Sequence, residues 1–147
     1  MITQKDFRNL NTLLKFIKGQ HDFTKSRYYH NYLIGALLIN KNKRSFGLNN
    51  YIKTHPKTIQ PKNRTFIVTI HAEVDAINKW NNNWDISKST LYVTGLTRNG
   101  QFTYCNKPCT SCIELISIVG INRVVYTQSI DHQNLEILSF DVSNSGY

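Results

Sequence analysis

Apolar residues recur at Phe7, Leu10, Leu14 and Ile17, with Leu13 beside them, between a Thr3-x-x-Asp6 start and Gly19. Spacing of three and four places one face of a helix against a core, and these flanks suit an N-cap and a glycine stop. The chain is therefore predicted to open with an amphipathic helix. The pattern changes at residues 31–40, Asn-Tyr-Leu-Ile-Gly-Ala-Leu-Leu-Ile-Asn, a short apolar run between polar residues that predicts a buried strand. Lys41-Asn42-Lys43-Arg44 then reads as a turn into a second strand near 45–49. Residues 50–65 hold Pro56 and Pro61 and show no periodicity, which predicts a long basic loop; long loops in compact domains usually carry function. It ends at Ile67-Val68-Thr69-Ile70 and His71.

From His71 onward the helical period returns through Val74, Ile77 and Trp80, until Asn81-Asn82-Asn83 breaks it. Thr90 to Thr94 reads as a strand and Arg98-Asn99-Gly100 as a turn. A further helix starts at Cys109, with Cys112, Ile116 and Val119 on one stripe and Gly120 at its end. Arg123 to Thr127 is a strand, and Leu135 to Phe140 fits an edge strand whose direction the pattern leaves open. Ser143 to Tyr147 is expected to fray.

Composition narrows the class. The 147 residues are 40% hydrophobic, 12% aromatic and 18% charged, with 7 Gly and 3 Pro, which excludes collagen-like, low-complexity and fully disordered chains. Length and the lone Met1 predict one complete single-domain product, residues 1–147. No apolar run approaches the ~20 residues that span a bilayer, and the first residues lack a signal-peptide core, so a cytoplasmic protein without a membrane partner is expected. The net charge of +9 is uneven: residues 1–64 carry a balance of +11, residues 65–147 one of −2. Lys41, Lys43, Arg44, Lys53, Lys57, Lys62 and Arg64 meet no acidic residue between 41 and 64, which predicts an anionic partner. A solvated basic surface in an Asn- and Lys-rich chain accounts for the same charges.

The chemistry concentrates in two short motifs, His71-Ala72-Glu73 and Pro108-Cys109-Thr110-Ser111-Cys112, each at a predicted helix start. Cys105, Cys109 and Cys112 are too few and too local for a disulfide framework. Cys109 and Cys112, at i and i+3, share a helical face, and the positive end of the helix favours the thiolates that zinc requires. A nitrogen from His71 would complete a three-ligand set with an open fourth position, the arrangement of a catalytic zinc. Glu73, two residues from His71, is then free to handle protons beside it, so a hydrolytic site is expected. Two other readings compete. A closed structural zinc would recruit Cys105, His55 or His132, and a redox Cys-x-x-Cys would need no histidine. Cys105 otherwise reads as a small buried residue.

His-x-Glu followed by Pro-Cys-x-x-Cys is the signature of zinc nucleobase deaminases, and the chain resembles the cytidine and deoxycytidylate deaminase superfamily across about residues 30–127. Gly47-Leu48-Asn49 is similar to the Gly-x-Asn of its deoxycytidylate and tRNA adenosine branch. The stretch from Gly47 to Pro56 with His71 to Ile77 is similar to small phage-encoded deaminases. The resemblance implies a three-layer α/β/α fold with a mixed five-stranded sheet, the two motif helices packed together on one face. It implies zinc on His71, Cys109 and Cys112, Glu73 as proton shuttle, Asn49 at the substrate sugar and Ala72 at the base edge. Lys53, His55 and Lys57 are the candidate phosphate contacts, although His55 also reads as an exposed turn residue. Trp80 is read as core rather than as a base-stacking platform, Tyr28 and Tyr29 as packing beneath a strand, and Arg98 as facing solvent.

The implied reaction is hydrolytic deamination of cytosine in a dCMP-like nucleotide. Two alternatives stand beside it: deamination of cytosine or adenine within RNA or single-stranded DNA, and a catalytically silent nucleotide or nucleic-acid binding module. A homo-oligomer is among the assemblies the superfamily allows.

Overall fold

The computed structural model describes residues 1–24, 32–49, 71–97, 99–131 and 134–142. In chain order the elements are α1 (Gln4–Thr24), β1 (Tyr32–Asn40), β2 (Lys43–Leu48), α2 (Ala72–Lys79), β3 (Thr90–Thr97), α3 (Thr110–Val119), β4 (Arg123–Ser129) and β5 (Leu135–Asp141). The strands form one sheet in the order β2-β1-β3-β4-β5. Only the β3–β4 pair is parallel, joined across α3, and the others are antiparallel, so the sheet is mixed. The direction left open by the sequence is settled: β5 runs antiparallel to β4, from Arg123↔Asp141 to Ser129↔Leu135.

The strand period of two sorts the core into layers. Leu33, Leu37, Tyr92, Leu96 and Val125 meet Leu10, Leu13 and Ile17 of α1 on one face. Ala36, Leu38, Leu91, Val93 and Val124 meet Val74 and Ile77 of α2 and Cys112, Leu115 and Ile116 of α3 on the other. Leu13, Ile17, Leu37, Leu38 and Ile116 are fully buried, each worth roughly 1.5–3 kcal/mol against an exposed reference. The expected α/β/α layering, with both motif helices on one face, is what forms. No helix among the described residues is long and apolar enough to cross a membrane.

Several elements depart from the pattern reading. The inward stripe of α1 is Asp6, Leu10, Leu13 and Ile17; Phe7 is 54% exposed and Leu14 half-buried. Asp6 takes the inward place because its carboxylate is saturated there. Arg123 donates to both of its oxygens at 2.9 and 3.0 Å, Tyr92 at 2.6 Å and the Thr3 amide at 2.9 Å. The helix also continues past Gly19 to Thr24, since a glycine stops a helix only when it turns left-handed, and Gly19 does not. Gly120 does, with φ 88°, and ends α3 there. The β1–β2 turn shortens to Lys41 and Asn42, and Lys43 and Arg44 pair with Asn40 and Ile39. Trp80 is core, with the Trp84 ring on it edge-on at 5.1 Å. Residues 50–65, expected as a basic loop, Tyr28, Tyr29, Arg98 and residues 143–147, expected to fray, lie outside the described residues.

Candidate active site

Both motif residues that open a helix do so as N-caps. His71 (φ −76°, ψ 150°) precedes α2 and Cys109 (φ −70°, ψ 170°) precedes α3, and neither side chain caps its helix. Ser, Thr, Asp or Asn would normally stand there and satisfy an amide of the first turn. These two side chains turn instead toward each other. His71 Nδ1 lies 3.1 Å from Cys112 Sγ and 3.5 Å from Cys109 Sγ, and the three donor atoms lie within 4.8 Å of one another. A tetrahedral ion with bonds of about 2.0 Å to nitrogen and 2.3 Å to sulfur sets its donors roughly 3.5–3.8 Å apart, so the set fits zinc with small adjustments.

Electrostatics favours a cation at this point. A hydrogen bond from Cys112, and then His71, hold the Cys109 thiol down to about 3 against the cost of its partial burial. Cys112 is pushed far up, first by its bond to the Cys109 sulfur and then by burial and the nearby Glu73 carboxylate. Zinc takes cysteine as thiolate, so loss of thiol protons accompanies metal capture. Both helix N-termini aim at the cluster.

Glu73 is buried at 6% exposure, is not one of the three converging ligands, and lines the adjoining cavity with His71 and Cys109. Burial pushes its carboxyl above the ordinary value, despite the hydrogen bond from its own backbone and the charge of His71. The cavity is about 500 Å³, floored by Ile34 and Val93, with Asn49, Ala72 and Lys107 around it. His71 and Cys109 line the cavity, whereas the third member of the cluster, Cys112, is buried and does not.

Asn49 is held in both directions. Its backbone N–H donates to Ile34 O at 3.1 Å, and its side-chain oxygen accepts from Ile34 N–H at 2.8 Å. The strand amide must find an acceptor, which fixes the side-chain orientation and leaves the NH₂ as a donor for the cavity. Gly47, two residues earlier, lets α2 approach: a Cβ there would stand 2.2 Å from Ala72 O and 2.4 Å from Ala76 N. Asp75 then bonds the Leu48 amide at 3.0 Å and Lys79 at 2.9 Å, and Ser45 donates to Ala76 O at 2.7 Å. Gly-x-Asn and His-x-Glu are thus one fixed unit.

Pattern reading missed the residues that hold the cysteine loop. Asn106 is 4% exposed; it accepts from Thr103 Oγ1 at 2.7 Å and donates to Thr127 O at 3.2 Å and Thr127 Oγ1 at 2.9 Å. Thr94 reaches the same Thr127 hydroxyl at 2.7 Å, tying the loop to β3 and β4. Nothing in the local pattern marked them, since Thr94 and Thr127 lie on different strands and Thr103 on neither. Cys105 corrects the expectation of a small buried residue: it is exposed and lines the cavity, because its backbone bridges Gln128 while Asn106 takes the inward place. It is not in the ligand cluster. The other residues proposed to close the zinc site, His55 and His132, lie outside the described residues, as do Lys53, Lys57, Lys62 and Arg64. Lys41, Lys43 and Arg44 stand at the hairpin end of β1, roughly 15–25 Å from the cavity-lining Ile34 at ~3.3 Å per residue along the strand.

The family described as cytidine and deoxycytidylate deaminase zinc-binding region matches residues 13–128. The fold is similar to that of cytidine deaminase from Burkholderia pseudomallei, with a TM-score of 0.53 at 15% identity over 94% of this chain and 93% of that one. It is also similar to a dCMP deaminase from cyanophage S-TIM5 solved with dCMP and dUMP, with a TM-score of 0.50 at 18% identity over 86% and 83%. No curated protein matches the chain in sequence.

Proposed function

The chain belongs to the cytidine and deoxycytidylate deaminase family, whose members are zinc-dependent hydrolytic deaminases, and from that premise we propose that it deaminates cytosine in a free nucleotide of the dCMP type. The observation that carries this reading is the cavity itself: His71 and Cys109 of the metal cluster line it with Glu73 and Asn49, and it has room for one nucleotide. The dCMP and dUMP in the phage relative support a nucleotide over a bare nucleoside. Lys107, on the cavity rim, is the described cation available to a 5′-phosphate.

Zinc on His71, Cys109 and Cys112 would supply the Lewis acidity that brings ionisation of water within reach of neutral pH. Glu73 takes a proton from the attacking water and delivers it to the ring nitrogen beside the amine-bearing carbon. It then carries the proton of the newly added hydroxyl to the exocyclic nitrogen, the carbon–nitrogen bond breaks, and water and cytosine become uracil and ammonia with no other reactant. A buried carboxyl of raised proton affinity suits both halves of this transfer. Ile34 and Val93 exclude water from the ring face, Ala72 backbone meets the base edge, and the Asn49 NH₂ donates to the sugar.

The unbroken basic run from Lys41 to Arg64 favours a second reading, deamination within a single strand, for which binding would weaken steeply with salt. The deciding assay follows dCMP, CMP, deoxycytidine and a cytosine-containing single strand by chromatography, with zinc-loaded wild type beside Glu73→Gln. Turnover of dCMP by wild type alone is expected; turnover confined to the strand, or undiminished in Glu73→Gln, overturns the reading.

A further inference from the structure

At the opposite end of the sheet lies a second cavity of about 250 Å³, lined mainly by polar side chains. Three separate segments bring lysines to it: Lys5 from the first turn of α1, Lys41 from the β1–β2 turn and Lys88 from the approach to β3. None of the three forms an ion pair with a described residue. The one carboxylate in the lining, Asp6, is already committed to Arg123, Tyr92 and Thr3. Of the neighbouring acids outside the lining, Asp85 feels Lys88 and Lys43 but is held by Ser87 N–H at 2.9 Å and Ser87 Oγ at 2.6 Å, and Asp141 faces Arg123 across the β4–β5 ladder.

The positions are built. Asn40 Nδ2 donates to Asp85 O at 2.9 Å, pinning the hairpin turn to the segment that carries Lys88. Lys41 has φ 58°, the only positive φ at a non-glycine residue among those described. Gly or Asn holds that conformation more easily, so a lysine there adds a cation at conformational cost. Like charges from three elements repel across a shared space unless an anion enters it. Arg123 uses its guanidinium on Asp6 and Met1 O, which leaves the lysines for the ligand.

We propose that this cavity is an anion site for a pyrophosphate-sized phosphoryl group, separate from the deaminase centre. Its volume is below that of most pockets for drug-sized ligands and suits two linked phosphates better than a whole nucleotide. Two charges across a short anion also match several ammonium groups better than one does. The source is a free inorganic anion or the diphosphate tail of a nucleotide whose remainder stays in solvent. The proposal rests on this cavity alone and not on the assigned reaction.

The test titrates zinc-loaded full-length protein with inorganic phosphate, pyrophosphate and a nucleoside diphosphate, following backbone amides by NMR, with zinc content measured before and after. Saturable shifts are expected at Thr3–Asn9, Asn40–Lys41 and Lys88–Thr90, with pyrophosphate tighter than phosphate. Lys41→Ala with Lys88→Ala should weaken pyrophosphate at least tenfold at unchanged melting temperature, and Lys107→Ala should leave it unaltered. Lys5→Ala, with a weaker loss, keeps the test open should the double variant not fold. A nucleoside diphosphate equal to pyrophosphate assigns recognition to the anion; a tighter one adds the nucleoside as the source. Absence of shifts in these segments, shifts centred on His71–Glu73 and Cys109–Cys112, or unchanged affinity in the lysine variants overturns the site. So does a single-stranded oligonucleotide that binds these amides more tightly than pyrophosphate.

Discussion

The start of α1 and the starts of α2 and α3 treat the same physical problem in opposite ways. At α1, Thr3 and Asp6 cap each other's amides, at 3.3 Å from Asp6 N to Thr3 Oγ1 and 2.9 Å from Thr3 N to Asp6 Oδ2. Tyr92, Asn9 and Arg123 complete the set, each donating to an acceptor inside the molecule. At α2 and α3 the cap positions hold His71 and Cys109, whose side chains give up that role, worth ~1 kcal/mol each. They form a cluster that needs a cation to be complete. One helix start serves the fold; the other two give up local stability for chemistry.

The largest effect that could break this contrast is on rate. Glu73→Gln should keep zinc and fold while deamination falls by roughly a thousandfold, as expected for loss of a general acid–base. Ammonia release measured beside metal content checks it, and retained turnover would remove Glu73 from the mechanism. Next in size, a chelator or Cys112→Ala should lower stability by about 3 kcal/mol where zinc is at high saturation, read as a drop in melting temperature. Cys105→Ser should hold metal and melting temperature alike; if it releases the ion, the site is a closed one.

At the α1 end, Asp6→Ala should cost about 3 kcal/mol in denaturant unfolding, because Arg123 and Tyr92 lose a shared acceptor. The pH dependence follows from the same group. Burial raises the Asp6 carboxyl, but the hydrogen bonds from Arg123, Tyr92 and Thr3 bring it down from 3.8 to about 2. A depressed carboxyl contributes in full above its unfolded value and loses that contribution as pH falls from about 4 toward 2. This amounts to about 2 kcal/mol for a side chain 3% exposed. Unfolding free energies of wild type and Asp6→Asn across that range should converge at the acid end. The smallest effect sharpens the contrast directly. Cys109→Ser should weaken zinc yet raise the stability of the metal-free protein by about 0.5–1 kcal/mol, since serine caps a helix where cysteine does not. A chemical melt in the presence of chelator measures it.

Motif and period carried most of the site and the layering into view before any coordinates. His71, Glu73, Cys109 and Cys112 were legible because their chemistry requires fixed residue types at fixed spacing on a helix start. The sheet was legible because β1, β3 and β4 are apolar on both faces. Phe7 and Asp6 were misplaced for a physical reason: periodicity scores an aspartate as outward, and the donors that hold it inward include Tyr92 and Arg123, 86 and 117 residues away. Asn106 was invisible on the same ground: Thr103 is a local partner, but the group that anchors it inward, Thr127, lies 21 residues away on β4.

Sequence alone thus determined most of the element order, the family resemblance and the three residues whose donor atoms converge, His71, Cys109 and Cys112, all of which rest on local spacing and residue chemistry. Tertiary structure decided the antiparallel direction of β5, the inward turn of Asp6, the outward turn of Cys105 and the gathering of Lys5, Lys41 and Lys88 around one cavity. These depend on which distant groups share a hydrogen bond or a volume, and distance along the chain does not encode that.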